Sequence, residues 1–226
     1  MTRRVAYLST ALTGVAAEAR AGIDATVAVV RAVCATPIVD LDVYFPGDHT
    51  DPLRDAHVSP EEVFRIDRDR VKSADVLLAF GHVPSVGVGQ ELNMALASAL
   101  PVVFLVPDGV RVSRMALGAP CRSIEIPYAT DDELRTRLHE ALVALRPALD
   151  ERRERTHALD ANVTGARIRT AREARGLTQH ELADAAGLTA QAIALLEDAP
   201  DRLSDPSLTQ LRLLAAALGV PVAELI

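Results

Sequence analysis

The 226 residues contain no tryptophan, and aromatic residues make up only 3% of the chain. So few rings argue against a surface on which the bases of single-stranded nucleic acid stack in succession. The formal net charge is −7, which gives no general electrostatic attraction to nucleic acid. Any binding of DNA is therefore restricted to a local surface.

Cysteine is scarce as well. Cys34 and Cys121 are far apart and lack CxxC or Cys/His spacing, which predicts neither a disulfide framework nor a zinc site. The N-terminal stretch "MTRRVAYLSTALTG" turns polar well before the length that a signal peptide or a membrane span needs. We expect a cytoplasmic protein with no metal, no cofactor and no association with a membrane.

Apolar residues, at 49%, are abundant enough to build buried cores. Between residues 3 and 128, short β-rich runs such as "RVAYLS", "DVLLAF" and "PVVFLV" alternate with stretches of helical period. Strands separated by helices in this way predict parallel βαβ units with right-handed crossovers. The fold class expected is α/β, a flavodoxin-like doubly wound parallel sheet, followed by a small all-α domain.

The chain divides into two regions of different pattern. Residues 1–146 are expected to form the α/β domain, and residues 147–164 a charged helical linker. From residue 165 to 226 the strand pattern disappears, and short helices follow one another with Gly, Thr and Pro between them. This second region is predicted to be a compact helical bundle.

The segment "PSVGVGQELNMALA" at residues 84–97 places two glycines directly before Glu91. In an open parallel sheet, ligands bind beyond the carboxyl ends of the strands, and we expect Gly87 and Gly89 to form a loop there. Glu91 then has two interpretations. It is either a carboxylate in the first turn that favours the helix dipole, or a group that reacts with a ligand.

Three stretches, "AYLSTALTG", "IDRDRVKSADVLLAF" and "PSVGVGQELNMALASALPVVFLVP", resemble the nucleoside 2-deoxyribosyltransferase superfamily. This superfamily includes the 2'-deoxynucleoside 5'-monophosphate N-glycosidases, and the resemblance covers most of residues 3–115. It implies that Glu91 is the nucleophile that attacks the anomeric carbon, that Asp67 handles the base or its proton, and that Tyr7 orients the nucleophile. The alternatives are a solvated Asp67 on a helix surface and a Tyr7 that only packs.

Cleavage of an N-glycosidic bond independently requires two carboxyl groups, as Glu91 and Asp67 would supply. Cleavage of an N-glycosidic bond develops oxocarbenium character, which one ionised carboxylate stabilises while a second carboxyl protonates the departing base. We expect the substrate to contact five further residues: Ser9, Ser85, Gly87, Gly89 and Ser113.

Two features leave the ligand open. The monophosphate-hydrolysing branch has a serine and an arginine in the first loop, where this chain has Ala11 and Thr13, so recognition of a phosphate is left open. The insert "YFPGDHTDPLRDAHVSPEE" contains Asp48, His49 and Asp51, which line the base pocket or form a polar lid. The lid is the interpretation favoured for His49.

The C-terminal region, with "LTQHELADAAGLTAQAIALLED" and "PSLTQLRLLAAALGVPVAELI", is similar to the Cro/repressor helix-turn-helix family. The resemblance implies that Thr178 and Thr189 cap the two helices of the motif and that Gly187 makes the turn. It also implies DNA contacts at five positions: Arg167, Thr178, Gln179, Thr189 and Gln191. Of these, Gln179 is at the usual phosphate-contacting position. From the residues themselves, we expect Gln191 to read a base edge and Arg167, Arg169 and Arg172 to form a phosphate-facing patch on the first helix of the region.

The recognition helix departs from the repressor pattern. Its exposed positions are mostly Ala and Leu, so readout of bases rests on Gln191. Residues 160–226 contain nine acidic and six arginine residues, for a net charge of −3. This composition keeps open a helix-turn-helix that serves dimerisation or binds a protein partner.

Three functions follow. The leading one is a DNA-binding transcriptional regulator, a homodimer or higher homo-oligomer, whose first domain binds a nucleoside or nucleotide. Whether that domain also hydrolyses its ligand is left open. The second is an active N-glycosidase or deoxyribosyltransferase whose helical region only assembles the oligomer. The third is an antitoxin-type or defence-type module that binds another protein.

Overall fold

The computed structural model describes residues 3–80, 85–157, 163–198 and 206–226. The chain divides into two compact units, Met1–Arg153 and Glu154–Ile226. No helix within the described ranges is both long and apolar enough to span a bilayer.

The first unit is built on a five-stranded parallel sheet in the order β2-β1-β3-β4-β5. Its strands are β1 (Arg4–Ser9), β2 (Leu41–Tyr44), β3 (Val76–Phe80), β4 (Val102–Pro107) and β5 (Ser123–Tyr128). Its helices are α1 (Ala17–Cys34), α2 (Pro60–Ser73), α3 (Val86–Ala97), α4 (Arg114–Leu117) and α5 (Asp131–His157), with a short 3-10 turn at Pro46–Asp48. This strand order is flavodoxin-like, and it places the switch point between β1 and β3.

Both faces of the sheet are covered, which explains why its central strands are apolar at nearly every position. Leu8 of β1 is buried in one cluster with residues of α1 and α5. Tyr7 of β1, which faces the other way, is buried in a second cluster with Val71 of α2 and Ala95 of α3. The doubly wound parallel sheet predicted from the alternating pattern is confirmed.

Helix α5 extends beyond the predicted boundary at residue 146. Leu149 is buried with Leu145 in the core of the first unit, because it continues the same apolar stripe at a spacing of four residues. Arg4 donates a hydrogen bond to Asp150 at 3.1 Å, and Arg152 donates to main-chain carbonyls, including that of Ser98 at 2.9 Å. Residues 147–153 therefore belong to the first unit, and the predicted linker began too early.

The second unit contains α6 (Val163–Glu173), α7 (Gln179–Ala186), α8 (Ala190–Glu197) and α9 (Leu208–Leu218), followed by a 3-10 turn at Val222–Glu224. Its core includes Ile168, Leu182, Ile193 and Leu214, each fully buried. Gly187 between α7 and α8 has φ of 64°, in the left-handed region that glycine enters without steric cost.

Candidate active site and helix-turn-helix

Helix α3, which carries Glu91, begins earlier than the sequence pattern indicated. The side chain of Ser85 accepts a hydrogen bond from the main chain of Val88 at 3.5 Å and caps the helix. Gly87 and Gly89 therefore lie in the first turn of α3, exposed, and not in a loop as predicted. A side chain at Gly89 would meet nothing within 4 Å, so no close contact requires a glycine there.

Glu91 is held by two side chains of β1 at the switch point of the sheet. The hydroxyl of Tyr7 donates to Oε1 of Glu91 at 2.7 Å, and the hydroxyl of Ser9 donates to Oε2. Tyr7 and Ser9 are two residues apart on a strand, so their side chains point to the same face of the sheet. Both carboxylate oxygens are thus fixed by donors, an arrangement that orients a carboxylate toward a ligand.

The electrostatic environment of Glu91 brings its ionisation close to neutral pH. Burial raises the pKa of Glu91 to about 7, against the opposing effect of the hydrogen bonds from Ser9 and Tyr7, and the charge of Asp67 raises it further. Burial also raises the pKa of Tyr7 far above its usual range, so its phenol remains a donor. Glu91 is therefore not a solvated carboxylate on a helix surface, and it is only partly ionised near pH 7.

Asp67, on α2, is the second carboxyl of the site. Burial raises its pKa to about 6, and a hydrogen bond from the hydroxyl of Thr50, at 3.5 Å, acts in the opposite direction. Its charge raises the pKa of both Glu91 and Tyr7, as expected for neighbouring groups. The structure thus brings together Tyr7, Ser9, Asp67 and Glu91, from three separate elements.

Tyr44, at the end of β2, belongs to the same site, although the sequence did not indicate it. It is paired in register with Tyr7 of β1, and the two rings stack with centroids 5.4 Å apart. The ring of His49 also stacks on Tyr44, with ring centroids 4.9 Å apart and an interplanar angle of 6°. The pairing register across two strands could not be derived from either strand alone.

The insert that follows β2 is partly a structural element. Asp51 is buried and accepts a hydrogen bond from Arg20 at 2.7 Å, as well as main-chain hydrogen bonds from Leu53 and Arg54. Asp48 pairs with Arg31. Asp48 and Asp51 thus support the segment, whereas His49 contacts Tyr44.

Ser85, Gly89 and Ser113 are grouped elsewhere. They line a cavity of about 510 Å³, together with Arg111 and apolar residues of α3, β4 and α4. Tyr7, Asp67 and Glu91 do not line this cavity. The residues predicted to bind the substrate therefore fall into two sets, with Ser9 beside Glu91 and the two other serines around the cavity. Within the described part of the chain, no cluster of His, Cys, Asp or Glu could hold a metal ion.

Three of the residues predicted to face DNA are engaged inside the second unit. Arg172 is buried and donates to both carboxylate oxygens of Glu197, at 2.7 and 2.8 Å, so it is not part of a surface patch. Gln179 donates to Glu197 at 3.1 Å, and Arg169 pairs with Asp198. Because Glu197 is buried, these donors compensate its charge.

The other predicted DNA contacts remain at the surface. Thr178 and Thr189 cap α7 and α8 by accepting hydrogen bonds from the main chain of Glu181 and Ala192. Arg167 on α6 and Gln191 on α8 are exposed. The remaining exposed surface of α8 is apolar, as the sequence indicated.

The helix-turn-helix family HTH_3 matches residues 168–225. Residues 168–225 are a helix-turn-helix domain. This confirms the family resemblance of the C-terminal region.

The chain is also similar to two curated proteins. A Methanosarcina mazei protein named as a 2'-deoxynucleoside 5'-phosphate N-hydrolase is 34% identical over 79 residues, 35% of this chain and 49% of the relative. A Methanosarcina barkeri protein of the same name is 33% identical over 89 residues, 39% of this chain and 56% of the relative. This chain thus spans about half the length of these curated relatives. These similarities confirm the resemblance to the nucleoside 2-deoxyribosyltransferase superfamily that the sequence of the first region indicated.

Among solved structures, the chain is similar to the CMP N-glycosidase BcmB of Clostridium botulinum. The sequences are 17% identical, the TM-score is 0.46, and the match covers 60% of this chain and 97% of that one.

Proposed function

We propose that the first unit cleaves the N-glycosidic bond of a nucleoside or nucleotide. The observation that carries the proposal is the pair of hydroxyl donors, Tyr7 and Ser9, on the two oxygens of Glu91. A glutamate whose oxygens are both fixed at the switch point of the sheet is positioned for attack on a bound ligand. The named activity of the Methanosarcina relatives is in keeping with this chemistry.

The reaction requires two carboxyls in opposite protonation states. The ionised Glu91 attacks the anomeric carbon as the bond from that carbon to the base nitrogen breaks, and the electron pair of the broken bond passes to the base. Asp67 gives its proton to the departing base. Water then attacks the anomeric carbon of the glycosyl ester, losing a proton to Asp67, and Glu91 is released as a carboxylate.

The two pKa values predict a narrow pH optimum. With values of about 6 and about 7, the pair holds a single proton chiefly between these pH values. That proton lies mainly on Glu91, whose pKa is the higher of the two. The reactive form, with Glu91 ionised and the proton on Asp67, is the minor of the two forms that carry one proton, and both forms depend on pH in the same way. We expect kcat/KM for base release to fall below about pH 6, where both carboxyls are protonated, and above about pH 7, where both are ionised.

The profile is measured by chromatography of the released base between pH 4.5 and 9. Asp67→Asn serves as the comparison, because it removes the acid and should abolish the alkaline limb together with most of the activity. A wild-type rate that rises through pH 7 and stays constant to pH 9 would contradict the role of Asp67 as acid.

A second function, binding of duplex DNA, is favoured by the match of residues 168–225 to the helix-turn-helix family. We propose that two copies of the chain form a homodimer that presents its α8 helices to successive turns of the major groove, about 34 Å apart. Gln191 is exposed at the start of α8, where base edges are read, and Arg167 is available for a phosphate. Regulation of transcription by a nucleoside or nucleotide would join the two functions.

Replacing Gln191 by alanine should relax the base preference at one position in each half-site. The loss is about 1–3 kcal/mol of binding free energy if the contact with the base is bidentate. Arg167→Ala should instead weaken binding to all sequences equally, because a phosphate carries no sequence information. With few cations available, the dependence of affinity on salt should be shallow.

Selection from a random duplex library at low salt, with and without added nucleosides, tests this proposal. Enrichment of a palindrome is the expected result. A library that remains unenriched under both conditions would favour a domain that binds a protein partner.

A further inference from the structure

Tyr44 carries a buried hydroxyl that donates to no other described residue. Its side chain is 8% exposed, and its hydroxyl has no hydrogen-bond partner among the residues that the structure describes. Buried polar groups are nearly always paired, so an unpaired hydroxyl at a candidate active site indicates a group reserved for a ligand.

The position of Tyr44 connects this hydroxyl with the two carboxyls. Its ring stacks on Tyr7, whose own hydroxyl is bonded to Glu91. The charges of Asp67 and Glu91 both raise the pKa of Tyr44, so its phenol lies within the field of the reacting groups. Neither carboxylate accepts a hydrogen bond from it, although both are acceptors.

The phenol is protonated at neutral pH and its ring is fixed. Burial, the largest effect, raises its pKa to about 12, and the guanidinium of Arg70 acts in the opposite direction. Arg70 lies over the ring at 5.0 Å from the centroid, and the ring of His49 is parallel to it at 4.9 Å. A donor held in this way is preorganised, and it favours negative charge that develops within its reach.

Negative charge develops on the base when the glycosidic bond breaks. In every common nucleobase, an acceptor atom lies next to the glycosidic nitrogen, either a carbonyl oxygen in pyrimidines or a ring nitrogen in purines. We propose that the Tyr44 hydroxyl donates a hydrogen bond to this acceptor of the departing base, and that it thereby stabilises the transition state of bond cleavage. The proton remains on the Tyr44 oxygen, and Asp67 supplies the proton that leaves with the base.

This inference rests on the N-glycosidase function proposed above, and it makes Tyr44 a third catalytic residue beside Glu91 and Asp67. A donor used only in the transition state affects kcat and leaves KM nearly unchanged. Tyr44→Phe keeps the ring and its stacking and removes only the hydroxyl. We expect kcat to fall about 10- to 100-fold, somewhat less than for a donor to a full oxyanion.

Tyr128→Phe is the matched control. Tyr128 is also 8% exposed and also ends a strand, β5, but its hydroxyl is hydrogen-bonded to Thr26, away from Glu91. The experiment measures base release from the four common 2'-deoxynucleoside 5'-monophosphates and the corresponding nucleosides by the full chain. Each variant is also checked by amide hydrogen exchange, so that a loss of folded protein is distinguished from a loss of catalysis.

The expected result is a lower kcat for Tyr44→Phe with KM within about twofold of the wild type, and unchanged constants for Tyr128→Phe. Wild-type activity in Tyr44→Phe would overturn the role of Tyr44 and leave the N-glycosidase function intact. An equal loss of kcat in both variants would also overturn it, because the effect would then be a general consequence of losing a buried hydroxyl. If the wild type itself released no base from any of these compounds, the proposed function would fail, and this inference with it.

Discussion

Replacement of Glu91 by glutamine is expected to reduce the rate of base release by at least about 10³-fold, because an amide is not a nucleophile toward the anomeric carbon. Glutamine has nearly the same shape, and its amide can still pair with the hydroxyls of Tyr7 and Ser9. Binding of nucleosides or nucleotides should therefore remain within about tenfold of the wild type. Single-turnover kinetics and isothermal titration measure the two effects separately. Glu125→Gln, an exposed change on β5, is the control.

The same substitution should stabilise the first unit at alkaline pH. The pKa of Glu91 is about 7 in the folded protein, above the ordinary 4.5 that applies to the unfolded chain. The folded state therefore binds the proton more tightly, and stability is lost as the pH rises from about 4.5 to about 7. We expect Glu91→Gln to raise the free energy of unfolding by about 2–3 kcal/mol at pH 8 and to leave it nearly unchanged at pH 4.

Amide hydrogen exchange of β1 and β3 at the two pH values reports on this unit alone. If the Glu91→Gln protein were less stable than the wild type at pH 8, the prediction would be wrong. The ionised carboxylate would then stabilise the fold instead of destabilising it.

Arg172→Ala is expected to unfold the second unit or destabilise it by about 3–5 kcal/mol, because it removes the cation that donates to both oxygens of a buried carboxylate. The side chain of Glu197 is 0% exposed, and Arg172 donates to both of its oxygens. A unit of this size has little stability to spare. Thermal unfolding by circular dichroism and amide exchange of α6 to α9 provide the measurement.

Arg175→Ala is the matched control, since Arg175 is exposed and its guanidinium donates to the main-chain carbonyl of Ala171 instead of to Glu197. Its loss should cost no more than about 1 kcal/mol. The double change Arg172→Met with Glu197→Leu should recover most of the stability, because it removes both charges together. If Arg172→Ala were no more harmful than Arg175→Ala, the buried ion pair would not stabilise this unit as its burial implies.

The sequence predicts the architecture because periodicity and alternation are local properties. Strands such as β3 and β4 are recognisable from their apolar runs, and Gly187 from the turn that it makes. The end of the first unit was placed too early, because the stripe that continues to Leu149 lies among charged residues that dominate the composition of that segment.

The site could be predicted only where the residues themselves carry the chemistry. The roles of Glu91 and Tyr7 follow from the family resemblance, and the structure brings the two residues into contact. Tyr44 was missed because its role depends on the register between β1 and β2. Arg172 was placed on the surface because a pair 25 residues apart in sequence, Arg172 with Glu197, leaves no periodic signal.

The most direct test of the central claim is to measure, by chromatography, the free base that the full chain releases near pH 6.5. The compounds tested are nucleosides and nucleoside 5'-monophosphates, in both the ribose and the deoxyribose series. We predict that at least one compound yields free base in equal amount to the compound consumed, and that Glu91→Gln yields none while still binding it. No release of base from any of these compounds, by a wild-type protein shown to be folded, would contradict the account.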